Sequence, residues 1–373
     1  MGSFTIKPVI KTAANLTAFF AQIKVTPQDV ILTNKYILEP HISLADLPVD
    51  TIFLEEYLTG EPTDAAADRL LERLNQKDYQ RVIAIGGGSV IDNSKLLVYG
   101  SGLKIAEIAE KGSRLPKKRQ LIIVPTTTGT GSEVTNVAVF NFLQKKTKMG
   151  LAFDQMYADQ VYLISQLAAT MPYKVFATSS IDALVHSIES YISPKATAFS
   201  KSFSVTALKL ILTGYTKMIF ANTTGKTPQG QALQSFLEAS TLAGVAFGNA
   251  GCGAVHALAY PIGSEYHIAH GQSNYLVFGG TFKKYTELGG ADLSEIEALL
   301  AVELNVAPQE VWTRLEQTID QILPNQPLSQ IGMNQDKCRE FAKSVITNQQ
   351  RLLVNAPLKL SEDDISAIYE SLL

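Results

Sequence analysis

The segment RVIAIGGGSVID, residues 81–92, joins an apolar β-branched run to a predicted helix through three glycines and a serine. A short run that is apolar at every position is typical of a strand in a parallel sheet that is covered on both faces. Comparable runs occur at residues 29–33, 51–54 and 120–125, and residues 63–74 carry the spacing and capping signals of a helix. This alternation predicts an α/β domain built on a parallel sheet.

From about residue 165 the pattern changes, because strand-like runs become scarce and apolar residues recur three and four positions apart. Two such helical stripes are Val205, Leu208, Ile211, Leu212 and Tyr215, and Phe236, Ala239, Leu242 and Ala243. Residues 361–364 have the pattern of a capping box at the start of a last helix. We therefore predict an α/β domain over residues 1–175 and an all-helical domain over residues 176–373.

Charge and composition exclude several classes of protein. Lys and Arg number 32 against 35 Asp and Glu, so the net charge of −3 provides no field that attracts nucleic acid. Two cysteines are too few for a disulfide scaffold or a four-cysteine metal site, and they suit a reducing cytosol. No apolar run approaches the roughly 18 residues of a membrane-spanning helix, and residues 1–7 lack the pattern of a signal peptide. We expect a cytoplasmic protein with no nucleic-acid or membrane partner.

The glycine turn at residues 86–89 lies where a phosphate group can be bound. A turn without Cβ atoms allows an anion to approach the backbone, and the following helix offers free N–H groups and its positive dipole end. Ser89 is placed to cap this helix, and Asp92 falls in its first turn. A tight turn with a capped helix and no ligand would leave the same pattern.

A second polar loop, PTTTGTGSEVT at residues 125–135, follows the next apolar run and contains six hydroxyl residues and two glycines. Loops at the carboxyl ends of parallel strands line the ligand crevice of such sheets. Two polar glycine loops after two such strands could hold the pyrophosphate and ribose of a dinucleotide. A solvated surface loop has the same composition and is the alternative.

The chain has five histidines, and four of them lie between residues 186 and 270: His41, His186, His256, His267 and His270. Asp182 and His186 are four residues apart and therefore share one helix face. With His256 and His270 they would supply one carboxylate and three imidazoles, a donor set that suits Fe²⁺ or Zn²⁺. Alternatively, Asp182 completes a capping box with Ser179 and the histidines are core residues.

In this order and spacing, the motifs at residues 86–92, 125–135, 182–186 and 256–271 resemble those of the iron-containing (group III) alcohol dehydrogenase family. The resemblance extends over nearly the whole chain. Within the family the chain is most similar to the 4-hydroxybutyrate dehydrogenases, on segments such as residues 247–258. Those enzymes interconvert 4-hydroxybutyrate and succinic semialdehyde.

The resemblance implies a Rossmann-like α/β N-terminal domain that binds a dinucleotide and an all-α C-terminal domain that binds metal and substrate. This is the dehydroquinate synthase-like fold, with the active site between its domains. The resemblance also implies NAD as cofactor, Fe²⁺ or Zn²⁺ as the metal, and a homodimer. The metal ligands that it implies are Asp182, His186, His256 and His270. The cofactor contacts or neighbours are Asn34, Gly87, Gly88, Ser89, Asp92, Thr126, Thr127, Ser132, Thr135, Val137 and Lys148, of which Lys148 matches a family lysine near the nicotinamide ribose.

Three positions depart from the family pattern. Val90 stands where many members have proline after the glycine turn. Tyr260 stands where many have a second histidine near the nicotinamide. We therefore expect Tyr260 or His267 to handle the proton, and His267 is favoured because imidazole titrates near neutrality. Asn34 stands where NAD-preferring members often carry a carboxylate that repels a 2′-phosphate, so NADP remains an alternative cofactor.

These features predict metal-assisted hydride transfer between NAD(H) and a small alcohol or aldehyde, with 4-hydroxybutyrate and succinic semialdehyde favoured by the resemblance. Arg351, Lys148 and backbone N–H groups are the candidates for binding the substrate carboxylate, and the guanidinium of Arg351 suits a bidentate contact. Residues 176–200 and 250–275 contain Lys195 and no arginine, which disfavours a cyclase that acts on a phosphate substrate. Two alternatives stay open: another alcohol or diol dehydrogenase of the 1,3-propanediol, butanol or glycerol type, and a non-catalytic nucleotide-binding relative.

Overall fold

The computed structural model describes residues 4–100, 102–143, 147–290 and 292–373. The chain forms two compact units. The α/β unit consists of residues 6–171 with residues 228–237, and the helical unit consists of residues 172–227 and 238–373 with the N-terminal residues up to Thr5. The chain passes from the first unit to the second between Met171 and Pro172.

The α/β unit contains, among its described residues, a six-stranded parallel sheet and a two-stranded antiparallel hairpin. The strands are β1 (Val9–Thr12), β2 (Asp29–Thr33), β3 (Asp50–Phe53), β4 (Arg81–Gly86), β5 (Gln120–Pro125), β6 (Val137–Phe142), β7 (Thr147–Ala152) and β8 (Gln160–Leu163). The sheet order is β1-β8-β5-β4-β2-β3, and β6 pairs with β7. The helices of this unit are α1 (Leu16–Ile23), α2 (Lys35–Leu38), α3 (Asp64–Leu74), α4 (Gly88–Leu96), α5 (Ile105–Lys111) and α6 (Ser165–Ala168).

The central strands form because their side chains are apolar on both faces. Val82, Ile83, Ala84 and Ile85 of β4 are all fully buried, and each fully buried Val or Ile contributes about 1.5–3 kcal/mol to folding. The four strands predicted from apolar runs are confirmed as β2, β3, β4 and β5. Because β4 and β5 are neighbours in the sheet, the two glycine loops that follow these strands begin side by side.

The antiparallel hairpin of β6 and β7 was not predicted, for a physical reason. Only alternate residues of β6 are buried, namely Ala138, Phe140 and Phe142. A strand with one half-buried face lacks the continuous apolar run that identifies a strand covered on both faces. The hairpin carries Val137 and Lys148, two of the residues predicted to lie at the cofactor.

The helical unit accounts for the second half of the chain, and with the parallel sheet it confirms the predicted fold class. Its helices are α7 (Tyr173–Ile192), α8 (Ala198–Phe220), α9 (Gly230–Ala250), α10 (Ala254–Tyr266), α11 (His270–Leu288), α12 (Ser294–Leu304), α13 (Val311–Ile322), α14 (Gln335–Asn348), α15 (Gln350–Leu353) and α16 (Glu362–Glu370). The first two turns of α9, up to Leu237, are grouped with the α/β unit. The predicted capping box at α16 is confirmed, since Ser361 and Asp364 bond each other's backbone N–H groups.

Helix α7 begins at Tyr173, so the alternative in which Ser179 starts a helix and Asp182 completes its capping box is wrong. Ser179 lies in the second turn and its hydroxyl bonds the Phe176 carbonyl three residues earlier, a contact that serine often makes inside a helix. Pro172 immediately precedes the helix, at its N-cap. Asp182 therefore projects from the middle of a helix whose residues are buried nearly all round.

Within the described ranges, no single helix is both long and apolar enough to cross a membrane. Helices α9 and α10 reach that length and hydropathy only when they are taken together, and the chain bends by 108° between them.

Candidate functional site

Four predicted metal ligands converge in the helical unit. Asp182 and His186 lie one turn apart on α7, His256 lies in the first turn of α10, and His270 is the first residue of α11. The Oδ1 atom of Asp182 is 3.7 Å from Nε2 of His186, 3.6 Å from Nε2 of His256 and 3.7 Å from Nε2 of His270. Three ring nitrogens from three helices thus surround one carboxylate oxygen.

These separations fit ligands of one cation better than hydrogen bonds. An N–H···O bond spans 2.7–3.2 Å, whereas metal–nitrogen and metal–oxygen bonds of about 2.1 Å place tetrahedral ligands about 3.4 Å apart. The donor set of one carboxylate and three imidazoles also suits a divalent first-row ion. The residues present therefore fit the metal that the motif predicts.

The environment of this cluster is largely buried. Asp182, His186 and His256 are buried, while the His270 side chain is 37% exposed and leaves the cluster accessible on its side. Burial raises the pKa of the Asp182 carboxyl, but the neighbouring His186, His270 and His256 outweigh burial and hold that pKa well below its usual range. Asp182 is therefore ionised, which is the form in which a carboxylate binds a metal ion.

Glu189 orients one of the four ligands, and the sequence analysis did not identify it. Its Oε2 lies 2.6 Å from Nδ1 of His256, and its two oxygens accept the backbone N–H groups of Gly253 (2.9 Å) and Val255 (2.7 Å). The bond at Nδ1 directs Nε2 of His256 toward Asp182, as outer carboxylates do for metal-binding histidines. The available signal was spacing, because Asp182, His186 and Glu189 follow at intervals of four and three along one helix face.

Asn274 is a second residue that the sequence analysis missed. It lies one turn after His270 on α11, and its Nδ2 donates a hydrogen bond of 2.8 Å to Oδ1 of Asp182. The same Nδ2 is 3.3 Å from Nε2 of His256. Asn274 thereby fixes the carboxylate that stands at the centre of the cluster.

The two predicted proton-handling residues have different surroundings. Tyr260 lies one turn after His256, and its ring centroid is 5.5 Å from that of His270. Burial raises the pKa of the Tyr260 phenol, while the nearby His256 and Arg351 lower it. His267 ends α10 in the left-handed conformation with an exposed side chain. The structure thus brings Tyr260 to the four ligands, with the exposed Arg351 of α15 within electrostatic range, and gives His267 no such contact.

In the α/β unit, the two glycine loops lie against each other. Gly86 and Pro125 are paired in register, and the N–H of Thr126 donates to the Gly86 carbonyl at 3.1 Å. A Cβ on Gly87 would lie 3.0 Å from the Thr127 methyl group, which is tighter than ordinary contact. The close approach of the second loop thus requires glycine at position 87. The absence of a Cβ there also allows an anion to approach the backbone.

The start of α4 differs from the prediction in two details, and one is that Asp92 lies in the second turn of the helix, not in the first. The N-cap is Gly87, so Ser89 lies inside the first turn and does not cap the helix; its hydroxyl donates to the Gly60 carbonyl at 3.3 Å. A Cβ on Gly88 would lie 3.0 Å from the Thr130 methyl group. No side chain caps this helix start, so its backbone N–H groups suit a phosphate group.

Lys95, which the sequence analysis did not identify, joins the second loop to α4. Its buried Nζ donates to Ser132 Oγ at 2.7 Å, to Thr135 Oγ1 at 3.2 Å and to the Val137 carbonyl. Burial lowers the pKa of Lys95 to about 8, although Asp92 and Glu133 oppose that shift. Three predicted cofactor residues are therefore engaged with this ammonium group.

Asp92, also predicted to contact the cofactor, is likewise engaged within the protein. Its Oδ1 accepts from Ser132 Oγ at 2.6 Å and its Oδ2 from the Val139 backbone N–H at 2.9 Å. Burial raises the pKa of this carboxyl against the effect of Lys95. Asp92 and Lys95 thus share Ser132 and hold the loop and the β6 strand in place.

Two more predicted cofactor residues have acidic partners. Asn34, directly after β2, donates from Nδ2 to Oε2 of Glu55 at 2.8 Å, and the Lys35 backbone N–H donates to Oε1 of the same carboxylate at 2.8 Å. Lys148 on β7 forms an ion pair of 2.7 Å with Glu61. Glu55 therefore supplies a carboxylate beside the position where the sequence shows only an amide.

Comparisons with known proteins agree with this geometry. Residues 16–164 match the family model "Iron-containing alcohol dehydrogenase", and residues 176–373 match the "Fe-containing alcohol dehydrogenase family, C-terminal" model. The 4-hydroxybutyrate dehydrogenase of Clostridium kluyveri is 42% identical over 95% of both chains. The long-chain-alcohol dehydrogenase 1 of Geobacillus thermodenitrificans is 35% identical over 92% of this chain and 88% of its own.

A solved structure shares the fold. The sulfoacetaldehyde reductase of Bifidobacterium kashiwanohense, in complex with NAD⁺, superimposes with a TM-score of 0.86 at 19% identity, over 100% of this chain and 98% of its own. An α/β unit with two glycine loops and a helical unit with a carboxylate–histidine cluster define a metal-dependent nucleotide-binding oxidoreductase. The chain belongs to the iron-containing alcohol dehydrogenase family.

Replacing Glu189 with glutamine should weaken metal binding roughly 10- to 100-fold, the usual effect of losing an outer-shell carboxylate. The amide keeps the size of the side chain but removes the charge that orients His256. Dialysis against a graded metal chelator followed by metal analysis measures the affinity. Glu295→Gln, in a salt bridge with Lys201 on the surface, is the control. Equal metal content in both variants at every chelator concentration would show that Glu189 has no such role.

The contribution of Lys95 to stability should depend on pH. Its pKa falls from 10.5 in the unfolded chain to about 8 in the folded protein, so the unfolded chain binds more protons between these values. The contribution of Lys95 to the free energy of unfolding should therefore rise with pH across that window, by up to about 3 kcal/mol. Urea unfolding of the wild type and Lys95→Met from pH 8 to 10.5 measures the difference, and a difference that stays constant would contradict the burial of a charged Lys95.

Proposed function

We propose that this member of the iron-containing alcohol dehydrogenase family interconverts 4-hydroxybutyrate and succinic semialdehyde with NAD(H) and a divalent metal. The observation that carries the proposal is the convergence of three imidazole nitrogens on Asp182 Oδ1 at 3.6–3.7 Å. The substrate class is supported by the 42% identity to a 4-hydroxybutyrate dehydrogenase over 95% of the chain.

Asp182, His186, His256 and His270 hold the metal in this proposal. When bound, the divalent cation acts as a Lewis acid on the substrate oxygen, and the nicotinamide accepts or returns the hydride. Glu189 keeps the Nε2 atom of His256 available, and Asn274 fixes Asp182. Iron is the metal that the family name indicates, and Zn²⁺ suits the same donors.

Tyr260 is the better supported of the two predicted proton-handling residues. Its phenol stays protonated because burial raises its pKa, so it can donate a hydrogen bond to a substrate oxygen near His270. In the oxidation direction the alcohol proton leaves through this hydroxyl or through water. His267 remains a prediction that lacks a contact with the cluster.

Arg351 is the residue that we assign to the substrate carboxylate. It is exposed on α15, and its positive charge lowers the pKa of the Tyr260 phenol, whose ring lies beside His270. A guanidinium binds a carboxylate through two parallel hydrogen bonds. A four-carbon substrate with an alcohol at one end and a carboxylate at the other matches a metal cluster with a guanidinium nearby.

Glu55 favours NAD over NADP. Its carboxylate is half-buried beside Asn34, which follows β2. Strand β2 pairs with β4, the strand that leads into the glycine turn. A carboxylate at this edge of a dinucleotide-binding sheet accepts the ribose hydroxyls and repels a 2′-phosphate. Lys35, the cation that would attract such a phosphate, is already paired with Glu56 at 3.1 Å.

The substrate is tested by following nicotinamide absorbance with metal-loaded protein, NADH and either succinic semialdehyde or butanal. We expect succinic semialdehyde to be strongly preferred, and Arg351→Gln should raise its KM roughly 10- to 100-fold, because a hydrogen bond to a charged group contributes about 1.5–3 kcal/mol. The KM for butanal, which lacks a carboxylate, should not change.

Arg339→Gln, which alters an exposed arginine of α14, is the matched control for that experiment. Equal turnover of butanal and succinic semialdehyde by the wild type would refute the 4-hydroxybutyrate assignment and leave the family membership intact.

Glu55→Gln should shift the cofactor preference toward NADPH by about tenfold or more, since it removes the charge that repels a 2′-phosphate while keeping an acceptor for the Lys35 N–H. The ratio of kcat/KM for NADPH and NADH measures this change. Glu39→Gln, an exposed carboxylate at the end of α2, is the control. An unchanged ratio in Glu55→Gln would remove Glu55 from cofactor selection.

A further inference from the structure

Cys252 belongs to a second group of metal-ligating atoms that the proposed function does not use. The donor atoms of His186, Cys252 and His256 all lie within 4.8 Å of one another, and all three residues are buried. Among the described residues, the donor atoms of Asp182, His256 and His270 form the other such group. Cys252 lies in the short turn between α9 and α10.

The backbone of this turn is held in place, which fixes the position of the sulfur. The Cys252 carbonyl accepts a hydrogen bond of 2.9 Å from Asn355 Nδ2, and the next N–H, that of Gly253, donates to Glu189. A Cβ on Gly251 would lie 2.4 Å from Asn355 Nδ2, so the packing around the turn is close. A donor on such a rigid segment is pre-organised for a ligand.

We propose that His186, Cys252 and His256 form a second cation position, which overlaps the first and takes a soft divalent ion such as Zn²⁺ or Cd²⁺. The inference rests on the proposed function only in sharing His186 and His256 with the proposed metal centre. Thiolate and imidazole ligands select zinc-like ions over the harder ions that prefer oxygen. On binding, the S–H bond breaks, a sulfur–metal bond forms and the proton leaves to solvent.

The two positions exclude each other. Nδ1 of His256 is 2.6 Å from Glu189, which leaves Nε2 as the nitrogen that can bind a cation. One imidazole nitrogen binds one cation at a time, so an ion held by Cys252 and Nε2 of His256 displaces an ion held by Asp182 and the same Nε2. A soft ion in the thiolate position therefore competes with the metal that the proposed reaction requires.

The test is a Cd²⁺ titration of the metal-free, full-length protein, with the sulfur-to-cadmium charge-transfer absorption as readout. We expect a band that saturates at one equivalent in the wild type and in Cys338→Ser, and that is lost in Cys252→Ser. Cys338, buried in α14, is the matched control because it is the other cysteine of the chain. A wild-type titration without a band, or an unchanged band in Cys252→Ser, overturns the inference.

Asp182→Ala separates this inference from the proposed function, since Asp182 serves the first position alone. The Cd²⁺ band should persist in Asp182→Ala, whereas binding of Fe²⁺ should be lost. Loss of the band in this variant overturns a separate thiolate position, and retention of Fe²⁺ counts against the metal centre of the proposed function. If Cys252→Ser fails to fold, Cys338→Ser still tests the inference. This variant retains Cys252 as its single cysteine, so a Cd²⁺ band in it can arise from Cys252 alone, and its absence overturns the inference.

Discussion

The burial of one carboxylate among three imidazoles is the constraint on which the helical unit depends. A charged Asp182 removed from water is costly unless other charges or a cation compensate it. Compensation here comes from α7, α10 and α11 together, since each contributes a ring nitrogen at 3.6–3.7 Å from the same oxygen. The packing of these three helices therefore determines the positions of the donor atoms in the cluster. A change that moves one helix also separates the donors.

The four donors could be predicted because each has a local or motif signature, whereas their supports could not. Asp182 and His186 share a face through their spacing, and His256 and His270 stand in recognisable motifs. Glu189 and Asn274 act across helices, on partners 67 and 92 residues away in sequence. Helical periodicity places them on the right face but cannot indicate which residue of another helix they meet. For the same reason, the sequence could not show that Tyr260 contacts the cluster while His267, which is also near it in sequence, does not.

In the α/β unit the apolar runs were sufficient to predict β2, β3, β4 and β5, and hence the proximity of the two glycine loops, but not the parallel strands β1 and β8. They were not sufficient to assign the polar residues of those loops. Ser132 and Thr135 look like cofactor ligands in the sequence, yet in the structure both bond to Lys95. Their role includes fixing the loop, as Asp92 does from α4. The half-buried hairpin that carries Val137 lacks a continuous apolar run, so its contact with Lys95 was not foreseeable either.

The acidic group beside β2 shows how tertiary structure can supply a charge that the local sequence lacks. Considered alone, Asn34 argues against strong discrimination between NAD and NADP, because an amide repels a phosphate less than a carboxylate does. Glu55 comes from the segment after the neighbouring strand β3, 21 residues later, and bonds both Asn34 and the following backbone N–H. The negative charge is thus present at the same edge of the sheet but on a different residue. Because this charge reaches the edge of the sheet through a contact between two segments, residue 34 considered alone does not reveal it.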